Sequence, residues 1–155
     1  IQQNIKKAFN YFNLAAKHNN TNAQLLMGIF YYIGFFTNKN INKSINFFKL
    51  ASIKNDPLAH FELGFYYHNK NIQTSIYHYK LASTFKSKYA RNNLGIIYKN
   101  GYGNEHQKNI GIAINYFEDL IKSENDILSL YNLAHIFIYD ENSNDRIDKS
   151  IDYLL

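Results

Sequence analysis

The chain has 155 residues, of which 46% are apolar and 17% aromatic, so it can form one domain core and is too apolar for a disordered chain. Its 17 basic and 12 acidic residues give a net charge of +5. The sequence contains no cysteine, which excludes a disulfide framework, a thiolate zinc site and a cysteine nucleophile.

A pattern that first appears at residues 4–15 recurs along the chain. It begins with asparagine, places a small residue four positions later, and continues with apolar residues at helical spacing. This spacing predicts a helix, which we call helix B, and the asparagine is suited to its N-cap. The predicted N-caps are Asn4, Asn40, Asn71 and Asn109, and a fifth copy of the pattern covers residues 146–155.

A second pattern lies between these copies. Ala23, Met27, Gly28 and Tyr31 fall on one face of a helix, which we call helix A. The apolar run at 25–36 belongs to this helix, and its roughly dozen residues are fewer than the roughly 18 that span a bilayer. We therefore expect a buried helix and no membrane insertion. The later copies are Ala59/Leu63/Gly64/Tyr67, Ala90/Leu94/Gly95/Tyr98 and Ser129/Leu133/Ala134/Phe137.

Three copies of helix A carry an interior glycine at the same position, namely Gly28, Gly64 and Gly95. A glycine inside a helix costs about 1 kcal/mol relative to alanine, so its repetition needs a compensating reason. We predict that each glycine lets helix B approach the backbone of helix A. The small partners expected from helix B are Ala8, Ser44, Ser75, Ala113 and Ser150.

One copy of this two-helix unit carries a full set of small and aromatic positions, namely Ala90, Leu94-Gly95, Tyr98, Gly101, Gly103, Asn109, Ala113 and Tyr116-Phe117. With these residues it resembles a Sel1-like repeat, a member of the tetratricopeptide-like class. Its asparagine replaces the aspartate of the family pattern, and copies with short loops are equally similar to plain tetratricopeptide units.

The resemblance implies an all-α fold, a right-handed α-solenoid of antiparallel helix pairs. It also implies an adaptor that holds other proteins together, without catalysis, cofactor or small-molecule substrate. We expect residues 1–155 to form a single repeat domain and to be an internal fragment of a longer array. The repeats are expected at about 1–20 (helix B only), 21–56, 57–87, 88–126 and 127–155, the last one truncated.

In such arrays the helices A line the concave surface, so a partner peptide or helix would bind their residues that face away from helix B. By analogy with tetratricopeptide grooves, we predict the partner-binding residues Leu25, Tyr32, Phe61, His68, Asn92, Lys99, Tyr131 and Ile138. A further set, for which a role in the ordinary core is the alternative, comprises Ile29, Phe65, Ile96 and His135.

Charge changes along the chain, from +7 over residues 1–54 through +4 over 55–110 to −6 over 111–155. The basic N-terminal stretch and its aromatic residues leave a nucleic-acid-binding helical repeat as the alternative function. Its lysines are scattered and do not form a patch, which disfavours nucleic acid and equally fits a solvent-exposed surface.

No metal or phosphate site is expected. The six histidines have no metal-ligand spacing, and Gly101-x-Gly103 lacks the lysine of a phosphate loop. Asp140, Asn142 and Asn144 match the start of a calcium loop, but the glycine and the glutamate that should follow are missing. The compartment stays open between the cytoplasm and the lumen of the secretory pathway.

Overall fold

The computed structural model describes residues 2–101 and 108–139. This part of the chain contains helices and no strand, which confirms an all-α repeat solenoid. The predicted Gly103, the calcium-loop candidate at 140–144 and the fifth helix B with Ser150 lie outside the described residues. The helices are α1 (Gln2–Lys17), α2 (Thr21–Ile33), α3 (Ile41–Ser52), α4 (Pro57–Tyr67), α5 (Ile72–Thr84), α6 (Lys88–Asn100), α7 (Ile110–Glu124) and α8 (Ile127–Tyr139).

The chain divides into two compact units, and the N-terminal unit, Ile1–Phe85, contains α1 to α5. Each helix packs against the next one along the chain, and α3 contacts both α2 and α4. One core cluster centres on Met27, between α1 and α2. The next is formed by Ile45, Phe48 and Leu63 from α3 and α4. Within this unit, each of these clusters lies between helices that are neighbours in the sequence.

The C-terminal unit, Lys86–Leu155, contains α6, α7 and α8. Helix α7 packs against α6 and α8, and its Phe117 lies in a cluster with Leu133 and Phe137. Helices α6 and α7 are also joined by ion pairs. The buried Arg91 of α6 donates to Asp119 and Glu124 of α7, each at 2.5 Å. The two carboxylates compensate a cation that would otherwise be costly to bury.

The N-caps of three helices B are confirmed. The side chains of Asn40, Asn71 and Asn109 accept hydrogen bonds from backbone N–H groups three residues later, at 2.9 to 3.0 Å. The prediction at Asn4 was wrong, because α1 already begins at Gln2 and Asn4 lies inside it. Gln2 and Gln3 are good helix formers, so nothing there obliges the helix to start at the asparagine.

The apolar run at 25–36 is only partly helical. Helix α2 ends at Ile33 because Gly34 adopts the left-handed conformation, with φ of 79°. Phe35 and Phe36 follow the helix and are exposed. Among the described residues, no helix combines the length and apolar character needed to cross a bilayer.

The three repeated glycines face aromatic rings of helix B. A Cβ built on Gly28, Gly64 or Gly95 would lie 2.5 to 2.6 Å from a ring carbon of Phe48, Tyr79 or Phe117, respectively. Helix B thus brings its largest side chains to these glycines, in addition to the small ones that the sequence suggested.

The small residues of helix B are mostly buried as well, and one of them contacts its glycine directly. Ser44, Ser75 and Ala113 are fully buried, and the Ser75 hydroxyl donates to the Gly64 carbonyl at 2.7 Å. Ala8, in α1, is exposed.

Candidate functional site

We define the inner face as the side of each helix A turned away from its own helix B. In the N-terminal unit a cavity lies among the helices A α2 and α4 and the helix B α3. Tyr32 from α2, Phe65 and Tyr66 from α4, and Ile41 from α3 form its mainly apolar wall. Its volume is about 260 Å³, and Glu62 of α4 contributes a carboxyl group to the lining. We call it the Glu62 cavity. The space suits one large side chain rather than a whole small molecule.

Among the described residues, Glu62 alone contributes an acidic side chain to this cavity. Burial raises the pKa of its carboxyl group, since a low-polarity environment disfavours the charged form. Its side chain forms no hydrogen bond and no ion pair with any part of the chain that the structure describes. An acceptor of this kind can take a donor from outside the chain.

Two ammonium groups of the chain lie against the rings near this cavity. The Nζ atom of Lys70 is 4.9 Å from the centroid of the Tyr66 ring. The Nζ atom of Lys39 is 5.6 Å from the centroid of the Tyr32 ring. Both distances are within the range of a cation–π contact, so these rings attract positive charge.

The other predicted residues of the N-terminal unit have different neighbours. Leu25 is half-buried and packs against the core cluster of Ile45, Phe48 and Leu63. The Phe61 ring lies 5.9 Å from the ring of Tyr79 on the paired helix α5. His68 is half-buried and follows α4 directly. None of these three residues lines the Glu62 cavity, so Tyr32 is the predicted partner-binding residue that does.

A second cavity, of about 140 Å³, lies in the C-terminal unit and is lined by Lys99, Ile110, His135, Ile136 and Tyr139, among others. We call it the Lys99 cavity. The Lys99 ammonium donates to Asn132 Oδ1 at 2.9 Å, across from α6 to α8. Burial lowers the pKa of this lysine. The predicted residue Lys99 is thus already paired within the chain.

The remaining predicted residues lie on α6 and α8. Tyr131 and Ile138 are exposed to 65% and 71%, and the Tyr131 ring lies 6.4 Å from that of His135. Asn92 is half-buried, and its buried Oδ1 atom has no hydrogen-bond partner in the described structure. Helix α8 therefore presents the most accessible aromatic and aliphatic side chains of the predicted set.

Comparison with known proteins identifies the repeat. The family model for the Sel1 repeat matches residues 1–20, 21–56, 57–84 and 88–118, which together exceed half of the chain. The chain belongs to the Sel1 repeat family. Sel1 repeat proteins are generally protein-interaction scaffolds, and their fold is typically non-catalytic.

Two solved structures resemble this Sel1 repeat chain. The Sel1 repeat protein from Oxalobacter formigenes is 27% identical, with a TM-score of 0.75 over 85% of this chain and 55% of that one. The protein c5321 is a protective antigen present in uropathogenic Escherichia coli strains. It is 18% identical and supports the Sel1-like fold, with a TM-score of 0.83 over 97% of this chain and 32% of that one. The chain spans about half of the length of the Oxalobacter formigenes protein and about one third of the length of c5321. No curated protein matches the chain.

Sequence reasoning missed Glu62 and Asn132, although both stand three residues after the first position of the helix A pattern. The other copies have Leu26 and Asn93 at this position, so Glu62 is its only charged residue. A charged residue at a position that is uncharged in the other copies was the feature of the sequence that could have identified Glu62. The pairing of Asn132 with Lys99 depends on how two successive helices A align, which one repeat cannot reveal.

A histidine pair lies inside the N-terminal unit, away from the inner face residues. The Nδ1 atoms of His60 and His78 are 3.0 Å apart, so one ring donates and the other accepts. The pKa of His78 is lowered to about 4 by burial, then by His60 and by Lys49. No group of three or more potential metal ligands occurs among residues 2–101 and 108–139.

Proposed function

We propose that this Sel1 repeat chain is a non-catalytic adaptor that binds a peptide or helix of another protein along the inner face of its helices A. The proposal keeps the predicted division into repeats and the predicted partner-binding residues. The observation that carries it is the set of accessible apolar side chains on that face, of which Phe65, Tyr131 and Ile138 are each more than half exposed.

An exposed aromatic side chain on an ordinary surface is common, but Phe65, Tyr131 and Ile138 all stand at positions of helix A that the repeat pattern predicts to face away from helix B. Phe65 adjoins a cavity, and the Lys99 cavity lies next to His135 on α8. Apolar side chains beside pockets are typical of surfaces that bind an amphipathic helix or an extended peptide.

The test is a displayed peptide library selected against the purified chain, followed by affinity measurement of a selected peptide by fluorescence polarisation. Phe65→Ala should weaken the binding of a peptide that binds the N-terminal unit, and Tyr131→Ala that of a peptide that binds the C-terminal unit, each about tenfold or more, which is about 1.4 kcal/mol. Tyr77→Ala is the matched control, because Tyr77 is 60% exposed on the helix B α5. It should leave the affinity within about twofold.

Equal losses in the control and the inner-face variants would contradict the location of the site. Failure to select any peptide, together with tight binding of a poly(U) strand that weakens steeply with salt, would support a nucleic-acid function instead.

A further inference from the structure

The two cavities occupy the same place in the repeat. Counted from the first position of the helix A pattern, Tyr32 corresponds to Lys99, Phe65 to His135, and Tyr66 to Ile136. Counted from the small residue of helix B, Ile41 corresponds to Ile110. Each unit therefore has a cavity at the junction of one helix pair with the next helix A.

By the same count, Glu62 and Asn132 occupy equivalent positions of the repeat. In the C-terminal unit the side-chain oxygen of Asn132 accepts a hydrogen bond from the Lys99 ammonium. In the N-terminal unit the oxygen acceptor is a carboxyl group, but the residue in the position of Lys99 is Tyr32, and the carboxyl group has no donor in the described structure. The larger cavity thus has an acceptor and aromatic walls, but the ammonium that lines it, that of Lys70, does not pair with the acceptor as Lys99 pairs with Asn132.

We infer that the Glu62 cavity binds the lysine or arginine side chain of a partner protein, its alkyl part against Tyr32, Phe65 and Tyr66 and its cationic group on the Glu62 carboxylate. This inference rests on the proposed adaptor function and names the chemistry of one contact within it. A lysine of the partner would donate to Glu62 as Lys99 donates to Asn132 within the chain.

Three physical arguments favour a cation over an apolar or acidic side chain. An apolar group would leave the Glu62 carboxyl group buried without a partner, which costs free energy. An acidic group would face that carboxylate directly. The ring faces of Tyr66 and Tyr32 already hold the ammonium groups of Lys70 and Lys39, so they are suited to positive charge.

Lys70 is the competitor within the chain. It lines the Glu62 cavity, yet no ion pair joins it to Glu62. A partner cation would enter beside it, against the positive charge of a unit that holds nine lysines and two carboxylates. Replacing Lys70 by glutamine should therefore strengthen the binding of an external cation.

The direct test is an NMR titration of the full chain with n-butylammonium, which copies a lysine side chain, compared with 1-pentanol and pentanoate. Butylammonium should shift the amide signals of residues that line the Glu62 cavity, saturably and with at least fivefold higher affinity than the two other probes. Glu62→Gln should reduce its affinity at least fivefold. Glu118→Gln, a charge-matched change on α7, should have no effect.

Tyr32→Lys provides a second, independent variant, because it places a lysine where Lys99 stands in the other cavity. It should reduce butylammonium binding at least fivefold, with a circular dichroism melt showing that the fold persists. If Tyr32→Lys does not fold, Glu62→Gln alone decides.

Several results would overturn the inference. They are tighter binding of pentanoate than of butylammonium, unchanged binding by Glu62→Gln, or no saturable shift in the cavity. A selected peptide whose binding requires Phe65 but tolerates replacement of each of its basic residues would also overturn it, while leaving the adaptor function intact. Failure to select any peptide would count against the adaptor function and would leave the titration result standing.

Discussion

The glycine of helix A is the position where a single methyl group matters most. In α6, a Cβ on Gly95 would lie 2.6 Å from Cε1 of Phe117, whose side chain is fully buried. We therefore expect Gly95→Ala to lower the free energy of unfolding by about 1–3 kcal/mol, because the ring has no free space into which to move. Chemical denaturation followed by circular dichroism measures the change.

Gly111 of α7 is the matched control for this change. It is exposed, and a Cβ there would meet only the Asn109 side-chain oxygen, at an ordinary 3.6 Å. Gly111→Ala should raise stability by about 0.5 kcal/mol through helix propensity. If both substitutions changed stability in the same direction, steric contact with the ring would not explain the cost at Gly95.

The histidine pair makes stability dependent on pH. The pKa of His78 is about 4 in the folded chain and near 6.5 when unfolded, so the unfolded state binds the extra proton between these values. The stability that His78 contributes is therefore fully present above pH 6.5 and is lost as the pH falls towards 4. We expect this residue to contribute a loss of about 1–2 kcal/mol, reduced from the full linkage value because His78 is only half-buried.

Comparison of denaturation curves at pH 7 and pH 5 measures this effect. His78→Gln should reduce the acid-induced loss, whereas His18→Gln should retain it, because His18 is exposed. His60, Lys49 and Asp56 influence the pair and stay unchanged in both variants. An identical pH dependence in the two variants would show that His78 does not carry the effect.

At the scale of single helices, a feature could be predicted from the sequence when the residues that form it lie close together in the chain. The helices B and three of their caps could be predicted, because Asn40 and its bond to the Lys43 N–H lie within one helical turn. The caps of the helices A were not predicted, although they use the same chemistry. They are Asn20, Asp56, Ser87 and Asp126, and their varied types conceal the repeat.

Interactions between helices were harder to predict. Recurrent glycines indicated close approach, but the sequence did not show that Phe48, Tyr79 and Phe117 would occupy the space. The Glu62 cavity required the relative positions of three helices, α2, α3 and α4. A pattern within one repeat specifies which face of a helix is buried but not which atoms of its neighbour meet it.

At the scale of the whole chain, stability should be distributed locally. The helices within each unit pack mainly on their sequence neighbours, and repeat proteins of this kind behave approximately as sums of local and nearest-neighbour terms. A substitution that weakens one helix pair should therefore be felt most strongly in its own unit.

Native-state hydrogen exchange of Gly95→Ala tests this distribution. Amide exchange should accelerate across α6, α7 and α8, because Phe117 connects the altered glycine to the core cluster that contains Leu133. Exchange in α2 and α3, which belong to the other compact unit, should change by less than about twofold. Equal acceleration in all of these helices would mean that the chain unfolds as one cooperative body, and the pairwise additivity expected of a repeat array would then not apply to it.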